Sequence, residues 1–200
     1  MKTRSIISIT GTLIFSLASC SPSTEELYTK ADKLIDKKKY TKAIEVYDKI
    51  IKRNFKFQDA YFEKGFCYLQ DSNYKEALHF FEIVLVMKGL NNGSNFIFEM
   101  NADSPFASEE AKHQVSLGEI FYEVGITKYY MDSLVPSYTN FQNAIDHNYE
   151  PGNCFAWQGL IWTRVDSLEK ACNFFRRSKQ LGEPDADRLL KLYCEKIVVK

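Results

Sequence analysis

The feature that most constrains this chain is a spacing. Ala31, Leu34, Tyr40, Ala43 and Tyr47 recur 34 residues later as Gly65, Tyr68, Tyr74, Ala77 and Phe81. Further on, Phe121, Gly125, Phe141 and Ala144 return at the same interval as Phe155, Gly159, Phe175 and Ser178. A fixed period of this length means stacked supersecondary units, each too small to bury its apolar face alone. At 45% hydrophobic and 14% aromatic, the composition is ample for the shared core such stacking makes.

The segment YFEKGFCYLQDSNYKEALHFF, 61–81, places an aromatic, a small residue four on, and then A-x-x-x-F. FAWQGLIW (155–162) and ACNFF (171–175) carry the pattern again. In these residues the chain resembles the tetratricopeptide repeat family. The resemblance implies an all-α fold, a right-handed superhelical solenoid of about four helix-turn-helix units. They are expected at 24–57, 58–91, 118–151 and 152–185, with an insertion at 92–117 and a C-terminal capping helix in 186–200.

Helix packing fits the resemblance. Ala31, Gly65, Gly125 and Gly159 on each first helix should face Ala43, Ala77, Ser137 and Ala171 on each second, where two backbones approach. Tyr47, Phe81, Phe141 and Phe175 should fill the space beside them. A glycine inside a helix costs about 1 kcal/mol, so small residues held in phase imply that close packing returns more. Unit three departs furthest, with Lys128 and Leu134 where aromatics are usual and Ser137 for alanine. The proline that usually closes a unit is absent from the first two, and Pro151 and Pro184 lie slightly beyond its place in the last two. The insertion reads as a loop, carrying Phe96-Ile97-Phe98, then a helix opening at Ser104-Pro105.

The N-terminus is a separate segment. Lys2 and Arg4 precede a mostly apolar run, Ile6 to Ala18, and then Ser19 and Cys20. That is the order of a secretory signal, and the run is short of the roughly 20 residues that span a bilayer. Leu17-Ala18-Ser19-Cys20 resembles the lipobox of bacterial lipoproteins. The resemblance implies a signal peptide over 1–19, cleavage before Cys20, and acyl chains on that cysteine as a tether. Two or three such chains anchor stably where one would not. Ser21-Pro22-Ser23-Thr24 would be a short polar leash, and Ser21 in place of aspartate points to the outer membrane rather than the inner. The expected location is the bacterial cell envelope.

Several functions are disfavoured. Lys+Arg and Asp+Glu balance at 26 each, which gives no electrostatic capture of nucleic acid. Lys37-Lys38-Lys39 sits where a turn is expected and reads as solvated. Cys67, Cys154, Cys172 and Cys194 lack metal-ligand spacing; export permits disulfides in any of three full pairings, and burial as small apolar residues is the expectation for most. Glu76-x-x-His79 and Glu110-x-x-His113 have the spacing of di-iron ligands, but the repeat register turns the first pair outward, and no metal site or cofactor is expected. His147 at a helix end suits the dipole. No H-E-x-x-H, G-x-S-x-G or phosphate-binding glycine loop occurs, so an enzyme is not expected.

In this repeat family the second, fifth, ninth, twelfth and thirteenth positions of each first helix line a concave groove. Carried over, these are Tyr28 and Ile35; Phe62, Phe66 and Leu69; Tyr122, Ile126, Tyr129 and Tyr130; and Leu160, Thr163 and Arg164. Aromatic anchors in a concavity are the makings of a binding site for another protein or peptide. A basic clamp for a peptide C-terminus is not expected, because Glu25, Asp59 and Glu119 hold the second position. Two alternatives stay open: a glycan or small ligand stacked on the aromatics, and an insertion or leash that fills the groove itself.

Overall fold

The computed structural model describes residues 22–90 and 114–195. The expectations placed on Cys20, Glu110, His113, the Phe96-Ile97-Phe98 stretch and most of the insertion lie outside these residues.

Every regular element among the described residues is a helix. They run α1 (Thr24–Ile35), α2 (Tyr40–Arg53), α3 (Gln58–Gln70), α4 (Tyr74–Met87), α5 (Leu117–Tyr130), α6 (Leu134–Asp146), α7 (Pro151–Arg164), α8 (Leu168–Gln180) and α9 (Ala186–Tyr193). Helices pack in antiparallel pairs, α1 on α2, α3 on α4, α5 on α6 and α7 on α8, and each pair stacks on the next. The chain is a helical-repeat solenoid.

One turn recurs inside every pair. Lys38, Ser72, Asp132 and Asp166 all adopt left-handed backbone, with φ of 54°, 59°, 60° and 54°. The following residue donates its N–H back over five residues: Lys39 to Leu34, Asn73 to Tyr68, Ser133 to Lys128, and Ser167 to Trp162, at 2.8, 2.8, 2.9 and 3.0 Å. This satisfies a carbonyl that the helix end would leave without a partner. Repeating the turn repeats the angle between helices.

A buried ring midway along each second helix sets the spacing within a pair. A Cβ on Gly65 would stand 2.8 Å from Phe81 Cε1, and one on Gly125 would stand 2.9 Å from Phe141 Cε1. Phe81, Phe141, Phe175 and, in the first pair, Tyr47 are wholly buried. Ser137 is explained here: its hydroxyl donates to the Gly125 carbonyl at 2.7 Å, joining α6 to α5 at the closest approach.

The core runs without a break from pair to pair. Ile51 and Tyr68 pack against both of the first two clusters, and Phe121 and Ile126 bridge the second and third. Two residues expected on the open groove wall belong to this core instead. Phe62 is 5% exposed with its ring 5.4 Å from Phe81, and Leu69 is 6% exposed. Each sits where consecutive pairs close over it, so it supports the wall from behind.

α9 covers the end of the stack, with Leu189 buried on Phe175 and Tyr193 stacked on the same ring at 5.7 Å. A disulfide between Cys172 and Cys194 ties α8 to the end of α9. Cys67 and Cys154 are free thiols and fully buried. No helix among the described residues is long and apolar enough to cross a membrane.

Candidate functional site

The first helices of successive pairs touch directly, α3 on α5, α5 on α7 and α7 on α9, whereas the second helices make no comparable contact among the described residues. The first helices therefore form the inner, concave wall. Its character changes along its length.

Toward the C-terminal end it is aromatic. Tyr129 meets Trp157 edge-on at 5.2 Å and Tyr130 at 5.6 Å, and Trp157 stacks flat on Phe141 at 5.8 Å. Trp157 Nε1 donates to Tyr122 Oη at 3.2 Å, joining α7 to α5. Tyr74, the first residue of α4, stacks on Tyr130 at 5.3 Å, and Tyr130 stays 52% exposed. The Arg164 guanidinium lies 5.5 Å from the Tyr129 ring centre and bonds Asp132 at 2.6 Å. Ile126, Leu160 and Thr163 are half-buried beside this group, and the Thr163 hydroxyl turns back onto the Leu160 carbonyl.

Toward the N-terminal end the wall is acidic. Tyr28 packs edge-on against Tyr47 and Phe57, and the Tyr47 hydroxyl donates to Asp32 at 3.5 Å. Ile35 and Phe66 are half-buried. Asp59 accepts the Val115 N–H at 2.9 Å and so fastens the chain just ahead of α5. Around these residues stand Glu63, Glu119 and Glu123. Burial first, and then the charges of Asp32, Glu119, Asp59 and Glu123, push the Glu63 carboxyl up to about 8. Burial, and then Glu119, push Glu123 up to about 7. Burial raises Glu119 as well, offset in part by a hydrogen bond from the Ser116 backbone. The phenols of Tyr28 and Tyr122 are raised by burial and by these same carboxylates.

The carried-over residues thus divide. Tyr122, Tyr129, Tyr130 and Arg164 come together, Tyr28 lies in the acidic half, and Phe62 is withdrawn into the core. Three wall residues were not marked from the sequence: Glu63, Glu123 and Trp157. All occupy the sixth position of their 34-residue unit, counted from 58, 118 and 152, so the register itself was a signal that could have found them. Glu76 and His79 are exposed on α4, away from this wall. Among the described residues, no group of three or more His, Cys, Asp or Glu side chains could hold a metal ion.

No protein-family model matches the chain, and no curated protein matches it in sequence. Solved structures do match in shape. MamA 41-end from Desulfovibrio magneticus RS-1 superposes with a TM-score of 0.60 at 21% identity, over 80% of this chain and 75% of that one. YrrB, described as a TPR protein with an unusual peptide-binding site, gives 0.56 at 19%, over 82% and 72%. The fold is that of a tetratricopeptide-repeat solenoid. The Rap conjugation gene regulator of the plasmid pLS20, solved in complex with the Phr* peptide, is also similar, with a TM-score of 0.56 at 18% identity. This chain covers 53% of that longer one and 86% of itself.

Proposed function

We propose that this tetratricopeptide-repeat protein is a binding scaffold that takes a protein segment along its concave wall, and that it works in the bacterial envelope on a lipid tether at Cys20. The observation that carries the binding half is the length of the wall. Aromatic and charged groups continue across successive pairs, from Tyr28 on α1 to Arg164 on α7, where a sugar-sized ligand would need one cluster. That peptides occupy or are ascribed to the folds of YrrB and the Rap regulator supports the same reading.

Two observations support the envelope half. The Leu17-Ala18-Ser19-Cys20 run has the order and position of a lipobox. The Cys172–Cys194 disulfide suits an oxidising compartment, since cytosolic thiols are kept reduced. Ser21 after the cysteine favours the outer membrane.

A photo-crosslinking residue at Tyr130, in the full chain in its host, tests the binding half. One specific protein should be captured there, and the capture should be lost when Tyr129→Ser is added. Capture of no protein, with glycan recovered instead, would replace the scaffold reading by the small-ligand one. For the tether, Cys20→Ala should leave an uncut precursor or release the protein from membranes. Unchanged processing and fractionation would remove the lipid anchor.

A further inference from the structure

The chain as a whole is neutral, but its charge is not evenly spread. Residues 24–57, the first helix pair and the link after it, carry ten Lys and Arg against six Asp and Glu. Residues 58–200 carry fourteen against twenty. The excess of cations gathers at one corner. From Lys49 to Gln58 there are four, Lys49, Lys52, Arg53 and Lys56, and no acid. The acids that bound this stretch are engaged: Asp48 holds Lys64 at 2.6 Å, and Asp59 is buried on the Val115 N–H. Across the corner, Glu25 and Glu26 stand on the first turn of α1, and Glu26 is taken up in bonding the Ser23 N–H.

At the same corner an aromatic ring stands in water. Asn54 accepts the Lys56 N–H at 3.0 Å, and Phe57 is buried against Tyr28, so the link is pinned on both sides of Phe55. Phe55 is left 45% exposed, with Lys56 Nζ 5.9 Å from its ring centre. At the matching place in the second and last units the residues are Gly89 and Glu183. The basic character does not continue along this edge of the solenoid. The later links carry Asp146 and Glu150, then Glu183 and Asp185. An exposed ring set among Lys and Arg matches an anionic lipid surface, which takes the ring into its interface and the cations at its headgroups.

The chain that would carry the tether leaves from this corner. The Arg53 guanidinium donates to the Pro22 carbonyl, and two peptide steps separate Pro22 from Cys20, about 7 Å at full stretch. Resting on the tether reading above, we infer that the corner joining α2 to α3 is itself a membrane contact. Lys49, Lys52 and Arg53 lie on anionic phospholipid headgroups, and the Phe55 ring enters the interface beneath them. Acyl chains and a basic patch then act as two signals for one membrane. The opposite sign of the later units holds them off the lipid.

Vesicle sedimentation tests the surface without the tether. The chain from Ser21 onward keeps every described element and loses both the apolar run and Cys20. Without Lys2 and Arg4 it carries 24 Lys and Arg against 26 Asp and Glu, so its overall charge opposes binding to anionic lipid. Vesicles made one-third of phosphatidylglycerol, in large lipid excess, should hold it about tenfold better than phosphatidylcholine alone. Salt should remove the difference. Lys49→Glu with Lys52→Glu should abolish the preference, and Phe55→Ser should weaken binding to the anionic vesicles severalfold. Arg176→Glu with Lys191→Glu, the same charge change on α8 and α9, should leave it intact. Equal binding to both vesicles, or equal loss in both reversed pairs, overturns the membrane contact, and so does no binding to either. None of these results touches the tether, which is read from processing at Cys20. Preferential binding by this chain, with processing unchanged in Cys20→Ala, would keep the contact and remove the tether.

Discussion

Gly159 and Phe175 are in contact at a distance that admits no side chain: a Cβ on Gly159 would stand 2.4 Å from Phe175 Cε1 and 2.6 Å from Cδ1. The ring is fully buried, with Tyr193 stacked on it. It has no room to withdraw. Helix α7 accepts the weaker helix propensity of glycine in return for this approach to α8.

Gly159→Ala should therefore destabilise the protein despite alanine's advantage of about 1 kcal/mol within a helix. Overpacking of a rigid ring costs about 1–3 kcal/mol, so a net loss of up to about 2 kcal/mol and a fall in melting temperature of a few degrees are expected. Phe175→Leu alone should also destabilise, by leaving a cavity. The double variant should be more stable than the sum of the two losses predicts, which a double-mutant cycle of thermal melts would read. Strict additivity would mean that the contact does not set the pair's spacing.

The left-handed turns offer the reverse case. An L-residue in this conformation costs about 1–2 kcal/mol, and glycine removes that cost at some loss through the freer unfolded chain. Lys38→Gly, Ser72→Gly and Asp166→Gly, combined, should raise stability by about 1–2 kcal/mol, since the turns are far apart and act independently. Denaturant midpoints should rise with each addition.

Reduction of the Cys172–Cys194 bond should weaken the C-terminal end first. Closing a loop of 22 residues is worth about 3 kcal/mol in chain entropy. Reductant should lower the melting temperature and speed proteolytic cleavage within α9, while Cys67 and Cys154 remain protected from alkylation in the folded protein. Cleavage spread evenly along the chain would contradict a stabilising effect confined to the cap.

The acidic stretch makes the free protein's stability depend on pH with an unusual sign. Glu63 is raised to about 8 and Glu123 to about 7 in the fold, both above their ordinary 4.5. Between these limits the folded chain holds protons that the unfolded chain has released, so stability falls as pH rises from about 4.5 to about 8. Among the described residues, the groups facing the pair are Tyr28 and Asp32 from α1, Tyr47 from α2, Asp59 and Cys67 from α3, Glu119 and Tyr122 from α5, and Tyr149 from the turn before α7. The melting temperature should be higher at pH 5.5 than at pH 8, by an amount equivalent to a few kcal/mol at most, and E63Q/E123Q should flatten the profile and melt higher at pH 8.

How much of this could be read from residues alone follows from where each interaction is made. Gly125 and Phe141, or Gly159 and Phe175, meet within one period, so their spacing along the chain announced the helix pair and the small residue inside it. Phe62 was misplaced on the open wall because its fate is decided by Phe81 and the pair stacked above, and position within one helix cannot tell a wall from its backing. Glu63 and Glu123 escaped notice because a glutamate on a helix ordinarily marks a solvated face. Only the acids of α1, α3 and α5, brought together by stacking, make it otherwise. The pairing of Cys172 with Cys194 depends on α9 folding back along α8, which none of the three sequence-allowed pairings could foretell.

The capping box of α1 has a consequence for reach. Ser23 accepts the Glu26 N–H at 3.1 Å and Glu26 returns a bond to the Ser23 N–H at 2.7 Å, so the helix is nucleated at its first residue. Between Cys20 and that cap lie two residues, and three peptide steps span about 10 Å at full stretch. Acyl chains on Cys20 would then hold the first helix pair within a headgroup's depth of the bilayer. The solenoid would be moored by its N-terminal end like a short-stemmed buoy, free to swivel but not to roam. A partner segment would have to present itself at the membrane surface, where the acidic end of the wall is the first part it meets.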